Sequence, residues 1–222
     1  MDDQTIRRPP EPAADPNAAI APERLAALVG SRLCHDIVSP LGAIGNGLEL
    51  LQLSGAWPGL GDSAEMQLVA ESVAAARARL RWFRMAFGHA AADQRLGLAE
   101  LAGLLADAEK GGRLRLRLEA EGDLPRDEAR LILLGLMCLE TAMPWGGGVL
   151  VCRGARGWRL VAECSRTKPD PALWAWLDAA PGRERPDPGA SEVHFPLLAG
   201  LARAAGRPLA WELDETGGEI SF

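Results

Sequence analysis

Residues 22–53 read PERLAALVGSRLCHDIVSPLGAIGNGLELLQL and carry apolar side chains at alternating steps of three and four. The members of this stripe are Ala26, Val29, Leu33, Ile37, Leu41, Ile44, Leu48 and Leu51. This spacing predicts one long amphipathic helix, with a kink or a local loosening where it crosses Pro40. The next segment, 54–61, contains three glycines and one proline, and it therefore predicts a turn.

A second helical pattern begins after Asp62 or Ser63, either of which can cap it, and continues to about Phe87. Two long helices joined by a short turn predict a helical hairpin. One hairpin cannot bury its own apolar stripe, so we expect two copies to associate as a homodimer with a four-helix bundle.

The pattern changes after residue 96. Residues 113–118 alternate arginine and leucine, as expected of a half-buried strand. Further strands are predicted at 149–153, 158–163, 208–213 and 219–222, and helices at 98–109, 125–142, 171–179 and 197–205. This order predicts an α/β sandwich with helices on one side of the sheet, and the fold class is therefore α + α/β. The predicted organisation is a disordered tail at 1–20, a hairpin domain at 21–92 and an α/β domain at 96–222.

Composition excludes several classes of function. The net charge of −6 argues against binding to nucleic acid or to an anionic membrane. No apolar run reaches the roughly 18 residues of a membrane span, and residues 1–18 lack the apolar core of a secretory signal. The four cysteines are far apart and form no C-x-x-C pair, so we interpret them as reduced and structural, which favours a cytoplasmic location.

His35 is the residue with the best case for a chemical role. Helical geometry places it about 200° from both Leu33 and Ile37, so it faces away from the apolar stripe. The other residues on its face are Leu28, Ser31, Arg32, Val38, Ser39, Gly42 and Asn46. Most of them are small or polar, and we expect this shallow surface to admit the active site of another protein.

The residues beside His35 favour nucleophilic chemistry. A neutral imidazole is a good nucleophile near neutral pH. Asp36 can orient the ring or accept its proton, and Ser39, one turn further on, can hydrogen-bond a phosphoryl oxygen or a water. By contrast, we interpret His89 and His194 as ordinary solvated side chains. A hydrolytic metal site is disfavoured because it needs more histidine and aspartate ligands than the sequence offers, and Cys34 is disfavoured as a nucleophile because it lies beside the buried stripe.

These residues resemble the ChpT-type histidine phosphotransferases, a bacterial family related to the dimerisation and catalytic halves of sensor histidine kinases. The resemblance covers about residues 22–222 and is most specific in the first helix. The matching stretches are Arg32-Leu33-Cys34-His35-Asp36, Ser39-Pro40, Ala43-Ile44, Gly47-Leu48, Leu50-Leu51, Phe83-Arg84-Met85-Ala86-Phe87-Gly88 and Leu201-Ala202-Arg203-Ala204-Ala205-Gly206.

The resemblance implies a homodimer whose central four-helix bundle carries one phosphorylatable histidine per chain. By position, His35 is then the phosphoacceptor and Asp36 its acidic neighbour. The resemblance also implies that the second domain is a degenerate histidine-kinase-like ATPase sandwich that no longer binds ATP. Its implied partners are the receiver domain of a hybrid histidine kinase and downstream cell-cycle response regulators.

The residues themselves argue against ATP binding at three places. Leu134 and Cys138 occupy the positions where asparagines would hold magnesium, and neither offers an oxygen ligand. Residues 163–167 lack the glycine of an Asp-x-Gly turn, and residues 194–197 are too bulky for a phosphate loop. We therefore expect no cofactor bound by this chain, with Mg²⁺ supplied by the receiver partner.

The sequence thus predicts a histidine phosphotransferase that relays a phosphoryl group between receiver domains through phosphohistidine at His35. We expect partner binding through Ser31, Arg32, Val38, Ser39 and Gly42. Two alternatives stay open at this point. One is an ATP-dependent sensor-type histidine kinase, and the other is a non-catalytic dimeric adaptor that binds receivers without using His35.

Overall fold

The computed structural model describes residues 22–53, 59, 63–88, 93–155, 157–178 and 188–222. The predicted tail at 1–20, His89 and all of the predicted turn except Gly59 lie outside these ranges. The first described element is helix α1, Pro22–Leu53, which runs through Pro40 without a break in its helical assignment. Helix α2 follows at Ala64–Phe87. Both helices have the extent that their apolar periodicity predicts.

Helices α1 and α2 pack against each other. Gly45 is buried in this contact, and a Cβ atom there would lie 2.7 Å from Arg77 Nη1. The missing side chain therefore leaves room for the arginine between the helices. Ser63 begins α2 as its N-cap, and its hydroxyl accepts a hydrogen bond from the Met66 amide at 3.2 Å.

The apolar stripe of α1 is only partly covered within one chain. Ile37, Ile44 and Leu51 lie seven residues apart and are 47%, 50% and 40% exposed. On α2, Val69 is 46% exposed. A seven-residue repeat of exposed apolar side chains is typical of the seam between packed helices.

The rest of the described chain alternates strands and helices. The strands are β1 Arg95–Gly97, β2 Leu114–Glu119, β3 Asp123–Pro125, β4 Gly147–Gly154, β5 Gly157–Glu163, β6 Ala210–Leu213 and β7 Gly217–Ser221. The helices are α3 Leu98–Gly111, α4 Arg126–Ala142, α5 Pro171–Trp174 and α6 His194–Ala204, with 3₁₀ turns at Ala175–Leu177 and Ala190–Glu192. The mixed helix-plus-sheet fold class predicted from the sequence is confirmed.

Five of the strands form one sheet in the order β2-β4-β5-β7-β6. The β2–β4 pair is parallel, and the other pairs are antiparallel. Strands β1 and β3 form a separate antiparallel ribbon, which was not predicted. Each of its strands has three residues, of which only the central leucine, Leu96 or Leu124, is buried, so neither strand is long enough to show an alternating pattern.

One face of the sheet packs against α4, and α6 packs against α4 in turn. Val151, Leu160 and Ile220 align on this face across β4, β5 and β7, and all three are buried. Helix α4 approaches closely at Gly135, where a Cβ atom would lie within 2.4 Å of Leu160 Cδ1. A side chain at this position would therefore require Leu160 to move.

The end of α2 belongs to the same hydrophobic core as the sheet. Trp82 and Ala86 are 6% and 0% exposed and pack in one cluster with residues of α3, α4 and the strands. Buried side chains at the end of α2 thus pack the hairpin against the α/β part of the chain.

Two expectations from the sequence, on membrane spans and on cysteine pairing, concern features of the described ranges. No helix there combines the length and the apolar character that are needed to cross a bilayer. Cys138, Cys152 and Cys164 are free thiols. The side chain of Cys34 lies outside the described part of the structure.

Candidate functional site

The residues predicted to form the site lie on α1. The side chains of His35, Asp36, Ser31, Arg32 and Ser39 are outside the described part of the structure, although their backbone is helical. In a helix with 3.6 residues per turn, Ser31, Arg32, Val38, Ser39 and Gly42 all fall within about 60° of His35 around the axis. Helical geometry therefore groups the predicted residues on one face of one element.

The described positions on this face are open to solvent within one chain. Val38 is 40% exposed, and Asn46, three turns from His35, is also exposed. At Gly42, a Cβ atom would have no heavy-atom neighbour within 4 Å. The face that continues from His35 toward the hairpin turn therefore has room for a partner protein.

Arginines of α4 hold the end of α2 in place. Arg126 Nη2 donates to the Arg84 carbonyl and Arg130 Nε to the Ala86 carbonyl, each at 3.4 Å. The pKa of Arg126 is lowered, first by burial and then by the nearby charges of Arg130 and Arg84. Cationic donors at a helix C-terminus satisfy its last carbonyls and oppose its dipole. This junction positions the α/β domain beside the hairpin.

The residues at the expected nucleotide positions are part of the core. Leu134 and Cys138 are both fully buried on α4. Burial also raises the pKa of the Cys138 thiol well above its ordinary value, so the sulfur stays protonated. The start of α6 is equally closed, because Phe195 is fully buried and packs edge-on against Trp174 with ring centroids 5.7 Å apart.

The interpretation of His194 as a solvated loop residue is wrong. His194 is the first residue of α6 and is only 2% exposed. Its Nε2 lies 3.2 Å from Thr141 Oγ1, while its Nδ1 is buried without a hydrogen-bond partner among the described atoms. Because the Thr141 hydroxyl donates to the Met137 carbonyl, it can accept a hydrogen bond from Nε2–H.

Burial lowers the pKa of His194 to about 4, so this side chain is neutral at physiological pH. A signal for its burial is present in the sequence. His194, Leu198 and Ala202 are spaced at intervals of four and share the buried face of α6. Including the histidine in that apolar stripe would have predicted a core position.

The acidic and metal-ligating side chains of the described ranges are dispersed. In them, no three side chains of histidine, cysteine, aspartate or glutamate converge in a way that could hold an ion. Among the acidic side chains that the structure describes, Glu128 is the most deeply buried, at 5% exposed. It accepts a hydrogen bond from Trp158 Nε1 at 2.6 Å and pairs with Arg207, so it has a structural role in joining α4 to β5 and to the segment after α6.

Comparisons with known proteins support the family resemblance of the chain. A solved structure of a bacterial phosphotransferase covers 92% of this chain and 98% of its own chain, at 26% identity and a TM-score of 0.63. A histidine kinase domain from Erythrobacter litoralis EL346 covers 81% of this chain and 93% of its own at 15% identity. Its TM-score of 0.44 is too low to support an argument.

Protein phosphotransferase ChpT from Brucella abortus (strain 2308) is 37% identical over 129 residues, which are 57% of this chain and 59% of the relative. The chain therefore spans less than two thirds of that relative's length. The profile of a family described as the histidine phosphotransferase C-terminal domain matches residues 98–217. Because this match extends over more than half of the 222 residues, the chain belongs to the histidine phosphotransferase family.

Proposed function

We propose that this chain relays a phosphoryl group between receiver domains of a bacterial phosphorelay, through phosphohistidine at His35. Membership of the histidine phosphotransferase family is the observation that carries this proposal. The exposed Val38 and the open space at Gly42 support it, because they leave the His35 face of α1 accessible to a partner.

The proposed transfer has two steps at one histidine. The neutral imidazole of His35 attacks the phosphorus of a phospho-aspartate on the donor receiver. A P–N bond forms, the P–O bond to the aspartate breaks, and the aspartate leaves as a carboxylate. A carboxylate on the acceptor receiver then attacks the phosphorus, and the imidazole leaves. Such transfers depend mainly on positioning and on neutralising charge.

Each neighbour of His35 has a proposed role in these steps. Asp36 orients the ring, or it accepts the proton that the imidazole releases on phosphorylation and returns it when the imidazole leaves. Arg32 pairs with the acidic rim of the receiver. Ser31, Val38, Ser39 and Gly42 form the contact surface, and the Mg²⁺ of the receiver's acidic pocket neutralises the transferring group.

We propose further that the chain is a phosphoryl carrier rather than an ATP-dependent kinase. The buried, oxygen-free side chains of Leu134 and Cys138 support this proposal, because magnesium in a nucleotide site requires oxygen ligands. Phe195 supports it as well, since its buried ring stands where a phosphate-binding loop would need glycine.

We propose that the working unit is a homodimer with a four-helix bundle. Ile37, Ile44 and Leu51 support this proposal, because three large apolar side chains at seven-residue spacing stand half exposed along one chain. A second hairpin would cover this seam and leave the histidine on the outer surface of the bundle.

The deciding experiment follows labelled phosphate from a pre-phosphorylated receiver domain to this chain with ATP removed. We expect rapid labelling of the unaltered protein, no labelling of His35→Ala, and loss of the label when a second, unphosphorylated receiver is added. His89→Ala is the matched control, because it removes a histidine to which no role is assigned, and it should be labelled normally.

Other outcomes would separate the alternatives. Labelling from ATP but not from any receiver would make the chain a kinase. Receiver binding that survives His35→Ala, without labelling of either protein, would make it an adaptor. Labelling of His35→Ala to the normal extent would move the phosphoacceptor to another residue.

A further inference from the structure

Arg84 lies on the side of α2 that faces α1. The atoms closest to a Cβ placed at Gly45 of α1 belong to Arg77 and Val73, so these two residues mark that side. Arg84 follows Arg77 by seven residues, which is close to two helical turns, and it therefore continues the same stripe. Leu80, between them on the stripe, is buried, whereas Arg84 is exposed. An exposed arginine thus lies at the contact between the two helices of the hairpin.

Helical geometry places Arg84 at the level of His35. The two helices of a hairpin run in opposite directions, so a step back along α1 matches a step forward along α2. His35 lies ten residues before Gly45, and ten residues beyond the midpoint of Val73 and Arg77 is position 85. Each of these distances is about 15 Å along the helix axis. Arg84 is therefore within about one residue, or roughly 1.5 Å, of the height of His35 along the hairpin.

The long side chain of Arg84 can reach the His35 side of the hairpin. Position 35 is about 80° around α1 from the line of contact with α2, so it borders the groove between the helices. The opposite groove belongs to the apolar seam, because Phe87 lies five helical turns after Val69 and its ring centroid is 5.4 Å from that of Phe83. Arginines keep their charged ends away from apolar surface, so we expect the guanidinium on the side of His35.

Arg84 offers an unpaired positive charge within the part of the chain that the structure describes. Its backbone carbonyl accepts a hydrogen bond from Arg126 Nη2, but no ion pair joins its guanidinium to a described carboxylate. Arg81, one turn earlier on α2, is different, because it pairs with Asp107 at 2.6 Å. A free guanidinium can bind two oxygens of a phosphoryl group at once.

The phosphoryl group needs such a charge between the two transfer steps. The Mg²⁺ of a docked receiver neutralises the group only while the receiver is present, and the carboxylate of Asp36 is adjacent in sequence to His35. We propose that the guanidinium of Arg84 binds the phosphoryl group on His35 and stabilises it until the acceptor receiver arrives. This inference rests on the proposed phosphohistidine, and it adds a residue of α2 to a site that the sequence placed entirely on α1.

The test loads the full-length chain with phosphoramidate and follows the phosphohistidine by ³¹P NMR. In this reaction a P–N bond to the imidazole forms, the P–N bond to ammonia breaks, and the imidazole proton leaves with the ammonia. The signal of phosphorylated His35 is the one that is missing from His35→Ala. Its chemical shift as a function of pH gives the pKa of the phosphoryl group, which a nearby positive charge lowers.

Substitutions of Arg84 separate its charge from its packing. Arg84→Met should raise the pKa of the phosphoryl group by about 1. It should also lower the equilibrium constant for phosphoryl exchange from a receiver to this chain about tenfold, at a pH at which the group is fully ionised. Arg84→Lys keeps the charge and should retain most of both properties.

Arg79→Met is the matched control for these substitutions. Arg79 is also on α2 and its side chain is 55% exposed, but it lies about 140° around the helix from Arg84. Its replacement should leave both the pKa of the phosphoryl group and the exchange equilibrium unchanged. Circular dichroism establishes that each variant is folded, and Arg84→Gln replaces Arg84→Met if the latter does not fold.

The outcomes distinguish this inference from the relay on which it rests. Equal pKa values of the phosphoryl group in Arg84→Met and Arg79→Met would overturn the role of Arg84 and leave the relay untouched. A lysine variant that matches the methionine variant would also overturn it, because the role assigned to Arg84 is that of a charge. Absence of any His35-dependent signal from the unaltered chain would overturn the phosphohistidine itself.

Discussion

Burial keeps His194 uncharged in the folded chain. Its pKa of about 4 in the folded state compares with an ordinary value of 6.5. Between these two pH values the unfolded chain binds the proton and the folded chain does not, so stability is present above pH 6.5 and is lost as the pH falls toward 4. The difference between the two pKa values corresponds to at most about 3 kcal/mol of the free energy of unfolding.

We predict that His194→Gln, which cannot titrate, will make stability less sensitive to acid. Between pH 7.5 and pH 4.5, the unaltered protein should lose about 2 to 3 kcal/mol more of its free energy of unfolding than the variant does. Urea denaturation at the two pH values measures this difference. Equal losses in the two proteins would show that the imidazole is not held neutral by the fold.

At the scale of single residues, helical period predicts the face on which a histidine lies, but it does not predict the tertiary contacts that bury it. The placement of His35 on the face opposite Leu33 and Ile37 follows from helical period alone. The burial of His194 depends on Thr141, which is 53 residues away in sequence, and on the packing of α6 against α4. The spacing of His194 with Leu198 and Ala202 indicates the buried face of α6, whereas the partner Thr141 leaves no mark in the local sequence.

At the scale of one element, the start of α2 is stabilised by a side-chain cap. Ser63 accepts a hydrogen bond from the Met66 amide, which satisfies one of the free N–H groups of the first turn. We predict that Ser63→Ala will lower the free energy of unfolding by about 1 kcal/mol. Chemical denaturation monitored by circular dichroism measures the change.

Ser72→Ala is the matched control within the same helix. The Ser72 hydroxyl donates to the Leu68 carbonyl, an oxygen that already belongs to the helical ladder. Alanine has the higher helix propensity, so this change should be neutral or slightly stabilising. A loss of the same size in both variants would mean that the Ser63 cap does not stabilise α2.

At the scale of elements, long periodic segments were predicted well and helix starts less well. The bounds of α1 and the end of α2 follow from apolar spacing. Helix α6 was predicted to begin after Pro196, but it begins at His194. Proline is tolerated in the first turn because no helical carbonyl needs its missing N–H. A proline therefore locates the first residue of a helix less accurately than it locates a break inside a helix.

For the whole molecule, the half-exposed seam of α1 predicts how two copies associate. We predict that Ile44→Glu will weaken the proposed dimer at least about a hundredfold, because a carboxylate would be buried without a partner in the proposed bundle. The isolated chain should stay folded, since Ile44 is already 50% exposed. Sedimentation equilibrium measures the change in mass, and thermal melting of dilute samples checks the fold.

Trp145→Glu is the control for this prediction. Trp145 is 54% exposed in the turn before β4, where Arg166 stacks on its ring at 4.1 Å. Introducing the same charge there should leave the dimer intact. A dimer that withstands Ile44→Glu, or one that dissociates equally in both variants, would contradict a bundle built on this seam.

The sequence could not predict how the hairpin is joined to the sheet. Trp82 and Ala86 continue the apolar period of α2. That period gives no indication that the two side chains pack in the core of the α/β part. Their partners are set by tertiary packing and by the hydrogen bonds from Arg126 and Arg130. The two regions were recognised separately, and only the structure reveals their shared core.

That shared core limits how a gene of this kind can be rearranged. Recombination at the junction after Gly88 would separate the hairpin from the sheet. The hairpin would then contain a tryptophan without the neighbours that bury it, and the core of the sheet would lack Trp82 and Ala86. Each fragment would need a compensating surface before it could be exchanged between proteins. We therefore expect the hairpin and the sheet to be exchanged between proteins together rather than one at a time.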